Sequence, residues 1–194
     1  MSIPHQITNH VTGQVIRFIK KGSDTHGELL EMEAVYASFS NEPPLHFHPF
    51  QEEFFEVLAG ELTVRIASEI RTYRKGEIVH VKPGMHHSMW NAGYADAMVN
   101  WKVYPALDTE QFLTTLTELA NQGQTNMVGV PSLPLMLFLL KKYKATFRLA
   151  KLNGKSLSIL SALFAPIFLF KQYKRKMNRP IPQYQNQFSS YQNN

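Results

Sequence analysis

The sequence has no cysteine among its 194 residues. This absence excludes a disulfide framework and any zinc or iron–sulfur site built on Cys ligands. A second absence concerns charge, because no Asp or Glu follows Glu118. Hydrophobic residues make up 44% of the chain and charged residues 18%, which is typical of a globular protein with somewhat few charges.

The charges that are present divide the chain in two. Residues 1–126 contain nine Lys/Arg and fifteen Asp/Glu, a net of −6, whereas residues 127–194 contain eleven Lys/Arg and no acidic residue, a net of +11. This asymmetry predicts an acidic body followed by a basic tail with a separate task. The N-terminus lacks the basic and apolar stretches of a secretory signal, so we expect a cytoplasmic protein or one on the cytoplasmic face of a membrane.

The body has the pattern of a β-protein. Apolar residues alternate with polar ones in short segments that Gly and Pro separate, and no segment there has helical spacing. Such spacing predicts an all-β sandwich or barrel. Ala59-Gly60 between two of the segments predicts a tight hairpin. The predicted strands are 15–19, 30–36, 54–58, 61–66, 78–81 and 97–104.

The histidines are clustered, since all eight lie within the first 87 residues. His46 and His48 are two residues apart, which places both imidazoles on one face of an extended chain. Glu53 follows five residues later, and His87 belongs to a separate predicted strand. Three imidazoles and one carboxylate suit a divalent transition metal such as Fe, Mn, Ni, Co or Zn. A lone histidine is more often a packing residue, which is our interpretation of His5, His10, His26 and His80.

Two motifs around these residues resemble those of the cupin superfamily. The first, His-x-His-x3–4-Glu-x6-Gly, is matched by His46, His48, Glu53 and Gly60. The second, Gly-x5-Pro-x-Gly-x2-His-x3-Asn, is matched by Gly76, Gly84, His87 and Asn91. Lys82 replaces the first Pro of the second motif, and Ser40-Asn41 stand where a Gly usually precedes the first. Both departures concern turns and leave the histidines and the glutamate in place.

The resemblance covers about residues 30–105 and implies both a fold and a site. The implied fold is mainly β: a single cupin barrel (a double-stranded β-helix, or jelly roll), which we place over residues 1–106. The sequence after it predicts two or three C-terminal α-helices. The implied ligands of one divalent metal ion are His46, His48, Glu53 and His87. Glu52 and His86 are the adjacent competitors, but only Glu53 and His87 keep the motif intervals to Gly60 and Asn91.

The resemblance does not fix the reaction, because cupins include dioxygenases, decarboxylases, isomerases, sugar-binding regulators and storage proteins. Two functions stay open. One is a mononuclear-metal oxidoreductase of the dioxygenase type, because three His and one Glu leave two positions free on an octahedral ion. The other is a non-catalytic, metal-dependent module that binds a small molecule. Tyr36, Phe55 and Met89 are aromatic or apolar neighbours that suit an apolar ligand.

The period changes to helical after residue 107, and residues 107–178 are predicted to form an extension. Asp108 and Gln111 have the spacing of a capping box, and Gly123 is a predicted stop. This first helix is expected to pack on the barrel or on a partner subunit. A second helix is predicted over 133–152 and a third over 156–177. A Gln/Asn/Ser-rich tail, 179–194, is predicted to be disordered.

The second helix combines an apolar stripe with an adjoining basic stripe, as in helices that lie in a membrane interface. The apolar stripe consists of Met136, Leu139, Leu140, Tyr143, Phe147 and Ala150. The basic stripe consists of Lys141, Lys144, Arg148 and Lys151. The third helix has fifteen uncharged residues, which rise about 22 Å and so favour an in-plane or re-entrant segment over a span of the ~30 Å core.

We therefore expect an anionic membrane surface to be a partner of residues 127–178. The alternative for these helices is that they only cover the barrel or build a dimer interface. A homodimer is expected as well as the small-molecule ligand. The basic residues border long apolar faces, so we expect no nucleic acid partner.

Overall fold

The computed structural model describes residues 5–151, which contain eleven β-strands, two α-helices and a short 3₁₀ helix over Gly22–Thr25. The first strands are β1 (Gln6–Thr8), β2 (Val15–Lys20), β3 (Leu30–Tyr36), β4 (His46–Phe47), β5 (Glu52–Ala59) and β6 (Glu61–Ile66). The later strands are β7 (Glu69–Arg74), β8 (Ile78–Val81), β9 (His87–Trp90), β10 (Ala97–Tyr104) and β11 (Arg148–Leu149). The α-helices are α1 (Thr109–Asn121) and α2 (Leu133–Lys142).

The strands form two antiparallel sheets that pack around one apolar core. One sheet has the order β1-β2-β3-β10-β5-β8 and the other β11-β4-β9-β6-β7. The core takes side chains from both sheets, among them Leu30, Met32, Phe55, Leu62, Val64 and Met89. This is the mainly-β jelly roll that the sequence predicts, and two C-terminal helices follow it.

All six predicted segments are strands, and their inward faces follow the alternation. Leu30, Met32 and Ala34 are fully buried along β3, whereas Glu31 and Glu33 point to the outer face and are partly exposed. The period of two requires this result once one face of a strand is buried. The same alternation in β5 places the Glu53 carboxylate inside the barrel, beside Phe55.

The predicted hairpin at Ala59-Gly60 is wrong. β5 pairs with β10 and β8, whereas β6 pairs with β9 and β7 in the other sheet. Gly60 has a φ of +67°, and a Cβ at this position would lie 2.4 Å from the carbonyl oxygen of Asp96. The glycine therefore makes a sharp bend that carries the chain from one sheet to the other. A Gly between two strands gives the same sequence pattern whether the chain forms a hairpin or passes from one sheet to the other.

The helices pack on each other through one face of α1. Phe112 and Leu119 from α1 meet Leu139 from α2, and Tyr143 completes this buried cluster. The capping box does not form, because the Asp108 side chain makes no cap hydrogen bond. Gly123 does follow the helix end, with a φ of +69°.

The helix predicted over 133–152 is too long, because α2 ends at Lys142. The chain then turns, and Arg148–Leu149 pair with β4 as the edge strand β11. Burial of Tyr143 and this new strand pairing outweigh the helical propensity of the Lys, Ala, Arg and Leu residues in this segment, because tertiary contacts can override intrinsic propensity. The apolar stripe predicted for a membrane interface is buried inside the protein along α2, at Met136, Leu139 and Leu140.

Within residues 5–151, both helices are too short or too polar to cross a lipid bilayer. The predicted helix over 156–177 and the predicted disordered tail 179–194 lie outside the described residues. The boundaries at 106 and 178 likewise stay predictions.

Candidate metal centre

Three histidines meet where β4 lies beside β9. His46 is directly opposite His87 in this antiparallel pair, and their ring centroids are 4.4 Å apart. His48 follows the end of β4, with its ring centroid 5.3 Å from that of His46 and 5.2 Å from that of His87. One potential ligand nitrogen from each ring lies within 4.8 Å of the other two. Strand pairing thus brings together residues that are about forty positions apart.

The Nδ1 atom of each ring is held by a backbone carbonyl. Because a carbonyl oxygen only accepts, each Nδ1 carries a proton, and in the neutral imidazole each Nε2 then keeps its lone pair. A neutral imidazole with a free Nε2 lone pair is the form that binds a metal ion, and such a second bond fixes the ring orientation. His46 Nδ1 donates to the Pro44 carbonyl at 2.9 Å, and His87 Nδ1 donates to the Met85 carbonyl at 2.9 Å. His48 Nδ1 donates to the Thr146 carbonyl at 2.5 Å.

Glu53 completes the cluster from the facing sheet. Its side chain is 1% exposed. The Oε1 atom accepts a hydrogen bond from Trp101 Nε1 at 3.1 Å. The Oε2 atom lies 3.2 Å from His48 Nε2 and 3.0 Å from His87 Nε2. One oxygen of the carboxylate is therefore fixed, and the other points at the histidines.

Although these converging atoms lie close together, they make no hydrogen bond within the described residues 5–151. The Nε2 atoms of His48 and His87 and the Oε2 atom of Glu53 are all buried, and none makes a hydrogen bond of acceptable geometry. Buried polar atoms normally have partners, and lone pairs that face one another need a positive charge between them. A divalent cation satisfies all of them at once, so the donor set fits a transition metal. The role of His46, His48, Glu53 and His87 as its ligands stays a prediction.

Burial and charge set the protonation of the cluster. Burial, with the imidazoles of His87 and His48, lowers the pKa of His46 to about 3. Burial alone would raise the pKa of the Glu53 carboxyl, but His48 and His87 outweigh it and lower this pKa to about 2. Burial also acts to lower the pKa of His87, yet the Glu53 carboxylate raises it overall. His46 is therefore neutral and Glu53 ionised at neutral pH, which are their metal-binding forms.

A cavity of about 180 Å³ adjoins the histidines. Its walls are mostly apolar, and they come from the barrel on one side and from the helical extension on the other. Apart from the histidines, the aromatic and thioether side chains in its lining are Tyr36, Phe55, Met89, Trp101, Phe112, Met136 and Phe147. The sequence predicts the first three as neighbours of the site, and all three line this cavity.

The competing residues lie outside the cluster. Glu52 is on the outer face of β5, where its Oε2 is 2.9 Å from His80 Nε2. His86 is exposed and its ring lies 5.0 Å from that of Phe47. The motif intervals therefore select the two residues, Glu53 and His87, whose side chains point inward.

Sequence reasoning misses Trp101, Thr146 and Phe147, all of which contact the cluster. Alternation along β10 places Trp101 on the inner face, but its bond to Glu53 depends on the register that sets it opposite Phe55. Thr146 and Phe147 fall in the segment predicted as helix, and no sequence signal places that segment near the histidines.

Comparisons with known proteins agree with this geometry. Residues 36–102 match the family model described as Cupin domain. An oxidoreductase of Arthrobotrys oligospora is 48% identical over 50 residues, covering 25% of this chain and 19% of that protein. The probable oxidoreductase yanE of Aspergillus niger is 34% identical over 98 residues, covering 48% of this chain and 38% of that protein. The matches thus span less than two fifths of either relative.

A solved structure from Thermotoga maritima, described as a predicted oxalate decarboxylase, is also similar. It aligns with a TM-score of 0.44 at 20% identity, over 53% of this chain and 91% of that one.

Proposed function

We propose, on the premise that residues 36–102 are a cupin domain, that the protein is a metal-dependent oxidoreductase of the dioxygenase type, acting on a small apolar molecule. The observation that carries the proposal is the buried convergence of unpartnered His48, His87 and Glu53 atoms beside an apolar cavity. The oxidoreductase names of the two curated relatives support the same class.

Each residue of the site has a role in this proposal. His46, His48, His87 and Glu53 hold one divalent ion, which when bound supplies redox and Lewis-acid chemistry toward dioxygen and substrate oxygens. Tyr36 lines the cavity, and burial together with the Glu53 carboxylate raises the pKa of its hydroxyl well above the usual value. Tyr36 therefore stays protonated and is available to donate a hydrogen bond to a substrate oxygen.

The cavity favours a particular kind of substrate. Its aromatic walls offer dispersion contacts and exclude water, which suits an apolar body. The four candidate ligands are part of the lining, so a substrate with one or two oxygens would place those oxygens against them. The proposed substrate class is thus a small apolar molecule with an oxygen-bearing group, such as an enediol or β-diketone.

Oxygen consumption tests this proposal. Iron- or manganese-loaded protein is mixed with a panel of enediols, flavonols and β-diketones in an oxygen electrode. We expect uptake with at least one class, and none for a double variant, His46→Ala with His48→Ala, because it lacks two ligands. Metal-loaded protein that consumes no oxygen with any panel member contradicts the enzymatic proposal.

A non-catalytic binding module is the second candidate, and the composition of the cavity favours it. Among the described residues that line the cavity, the polar side chains outside the four candidate ligands are few: Gln14, Tyr36, Trp101 and Thr109. Calorimetric titration with the same panel separates the two. Tight, metal-dependent binding without oxygen uptake supports the module.

From the sequence we further propose that the protein is a homodimer. We place it in the cytoplasm or on the cytoplasmic face of a membrane. We also propose that residues 127–178 bind anionic lipid. Each Lys or Arg near such a surface contributes about 1 kcal/mol. Flotation on phosphatidylserine vesicles tests the lipid binding, with Lys171, Lys174, Arg175 and Lys176 changed to Gln as the comparison. We expect less flotation for the variant, and equal flotation contradicts the proposal of lipid binding.

Light scattering after gel filtration tests the proposed homodimer.

A further inference from the structure

Residues 143–149, here called the strap, follow α2 and run past the histidines. We infer that the strap is part of the metal centre: the Thr146 carbonyl positions His48, the Phe147 ring covers His46, and metal affinity depends on the strap being docked. The inference rests on the proposed metal-dependent function. It concerns the affinity for metal rather than turnover.

The hydrogen bond to His48 is the first observation. The carbonyls that hold His46 and His87 come from Pro44 and Met85, each two residues earlier in the chain, so local structure sets them. The carbonyl that holds His48 comes from Thr146, 98 residues away, and the N···O distance is 2.5 Å. The orientation of one ligand ring is therefore fixed by the extension and not by the barrel.

The ring of Phe147 is the second observation. It lies 4.8 Å from the His46 ring at an interplanar angle of 29°, and 6.1 Å from the His48 ring. On its other side it is 4.7 Å from the Phe112 ring of α1. Phe147 thus fills the space between the helix and two ligand rings, and it lines the cavity as well.

The strap is anchored at both ends. At its start, the Tyr143 hydroxyl lies 3.1 Å from the Thr115 hydroxyl of α1. At its end, Leu149 pairs with His46, and the backbone N–H of Ala150 donates to the Leu45 carbonyl at 3.0 Å. The strand that carries His46 is therefore paired with β9 on one side and with β11 on the other.

Loss of these contacts has a measurable consequence. Removing a group that orients a ligand from outside the coordination sphere typically weakens metal binding about 10–100-fold. Because linkage is reciprocal, bound metal also stabilises the docked strap. Thr146 is thus a positioning residue, and it acts through His48.

The experiment releases the strap without touching a ligand. Ala150→Pro removes the N–H that bonds to Leu45, and Ala150→Ser keeps it as the matched control. Phe147→Ala removes the ring over His46. Leu119→Ala, in the same helical cluster but on α1, controls for loss of packing alone. The readouts on full-length protein are the Co²⁺ dissociation constant, by chelator competition, and the d–d absorption spectrum of the bound ion.

We expect Ala150→Pro and Phe147→Ala to bind Co²⁺ at least about tenfold more weakly, with an altered d–d spectrum. Ala150→Ser and Leu119→Ala should keep the wild-type affinity and spectrum. If the strap variants have the same Co²⁺ affinity and spectrum as these two controls, the inference about the strap is wrong but the metal site is not contradicted. A wild-type chain that takes up no Co²⁺ overturns both. If Ala150→Pro does not fold, Phe147→Ala decides, with Phe147→Leu expected to restore part of the affinity.

Discussion

The two oxygens of Glu53 have different surroundings. Oε1 accepts the Trp101 indole N–H, whereas Oε2 faces the histidines and makes no hydrogen bond to the part of the chain that the structure describes. A carboxylate fixed by one oxygen presents the other in a defined direction, which is how an outer partner organises a metal ligand. Trp101 also stacks on Phe55, with ring centroids 5.1 Å apart. The indole is therefore held by packing before it donates its hydrogen bond.

Trp101→Phe tests this arrangement. Phe retains an aromatic ring but not the donor, so Glu53 Oε1 is left buried and unpaired. An unpaired buried acceptor costs about 1–3 kcal/mol, and the loosened carboxylate should weaken metal binding about tenfold. Urea unfolding of the metal-free protein measures the first effect, and chelator competition measures the second. Trp90→Phe, at a partly buried tryptophan in the other sheet, is the control. Equal behaviour of the two variants contradicts the assigned role.

At the level of single residues, the sequence predicts the histidines and Glu53 because motif intervals tie them to glycine turns. Gly60 and Gly84 have φ values of +67° and +78°, a region that favours glycine. The positions of the histidines and of Glu53 can therefore be predicted from the sequence. The bond from Trp101 to Glu53 is not visible in this way, because it joins strands whose register no local pattern encodes.

At the level of elements, prediction succeeds for strands with a clear buried face, such as β3 and β5, and fails for the exposed strand β7. β3 and β5 alternate between buried and exposed residues, and both were predictable. β7 is exposed along nearly its whole length, so its sequence has no apolar alternation to detect. β11 has only two residues and exists because β4 lies beside it. Its formation depends on tertiary contact, which also explains why the predicted helix does not continue through it.

The bend between β5 and β6 yields a prediction about Gly60. Gly60→Ala introduces a Cβ only 2.4 Å from the Asp96 carbonyl oxygen, in a backbone conformation that disfavours it. Gly76→Ala is the matched control, because its φ is +83° but nothing lies within 4 Å of the added Cβ. We expect the control to lose about 1–2 kcal/mol of unfolding free energy from backbone strain, and Gly60→Ala to lose clearly more because backbone must move.

Urea denaturation at constant temperature measures both variants. The m-value should stay unchanged, so that a shift in midpoint reports stability. If Gly60→Ala is no less stable than Gly76→Ala, the close approach of the two sheets at this bend is contradicted.

At the level of the whole molecule, the candidate metal centre lies where the barrel meets the extension. Residues from both sheets supply the cluster, and Thr146 and Phe147 supply contacts from the segment after α2. Charge segregation divides the sequence by composition into residues 1–126 and 127–194. It does not reveal that the first part of the tail packs against the histidines, because apolar side chains that face a barrel and those that face lipid look alike in sequence.

Metal binding should therefore stabilise the entire described fold. A ligand at about 100 times its dissociation constant adds about 2.7 kcal/mol to the free energy of unfolding. For a domain of this size, that corresponds to a rise in Tm of about 5–10 °C. Calorimetry with and without a chelator measures it, and His80→Ala, which alters an exposed histidine, should show the same rise. Identical Tm values for metal-loaded and chelator-treated wild-type protein contradict a bound structural or catalytic ion.

The most direct test of the central claim is the metal content of the purified full-length chain. Wild-type protein, the double variant His46→Ala with His48→Ala, and His80→Ala are loaded with divalent iron, manganese or cobalt, desalted, and measured by plasma mass spectrometry. We expect about one ion per chain in the wild type and in His80→Ala, and none in the double variant. A wild-type chain without retained metal, or a double variant that retains as much, would contradict it.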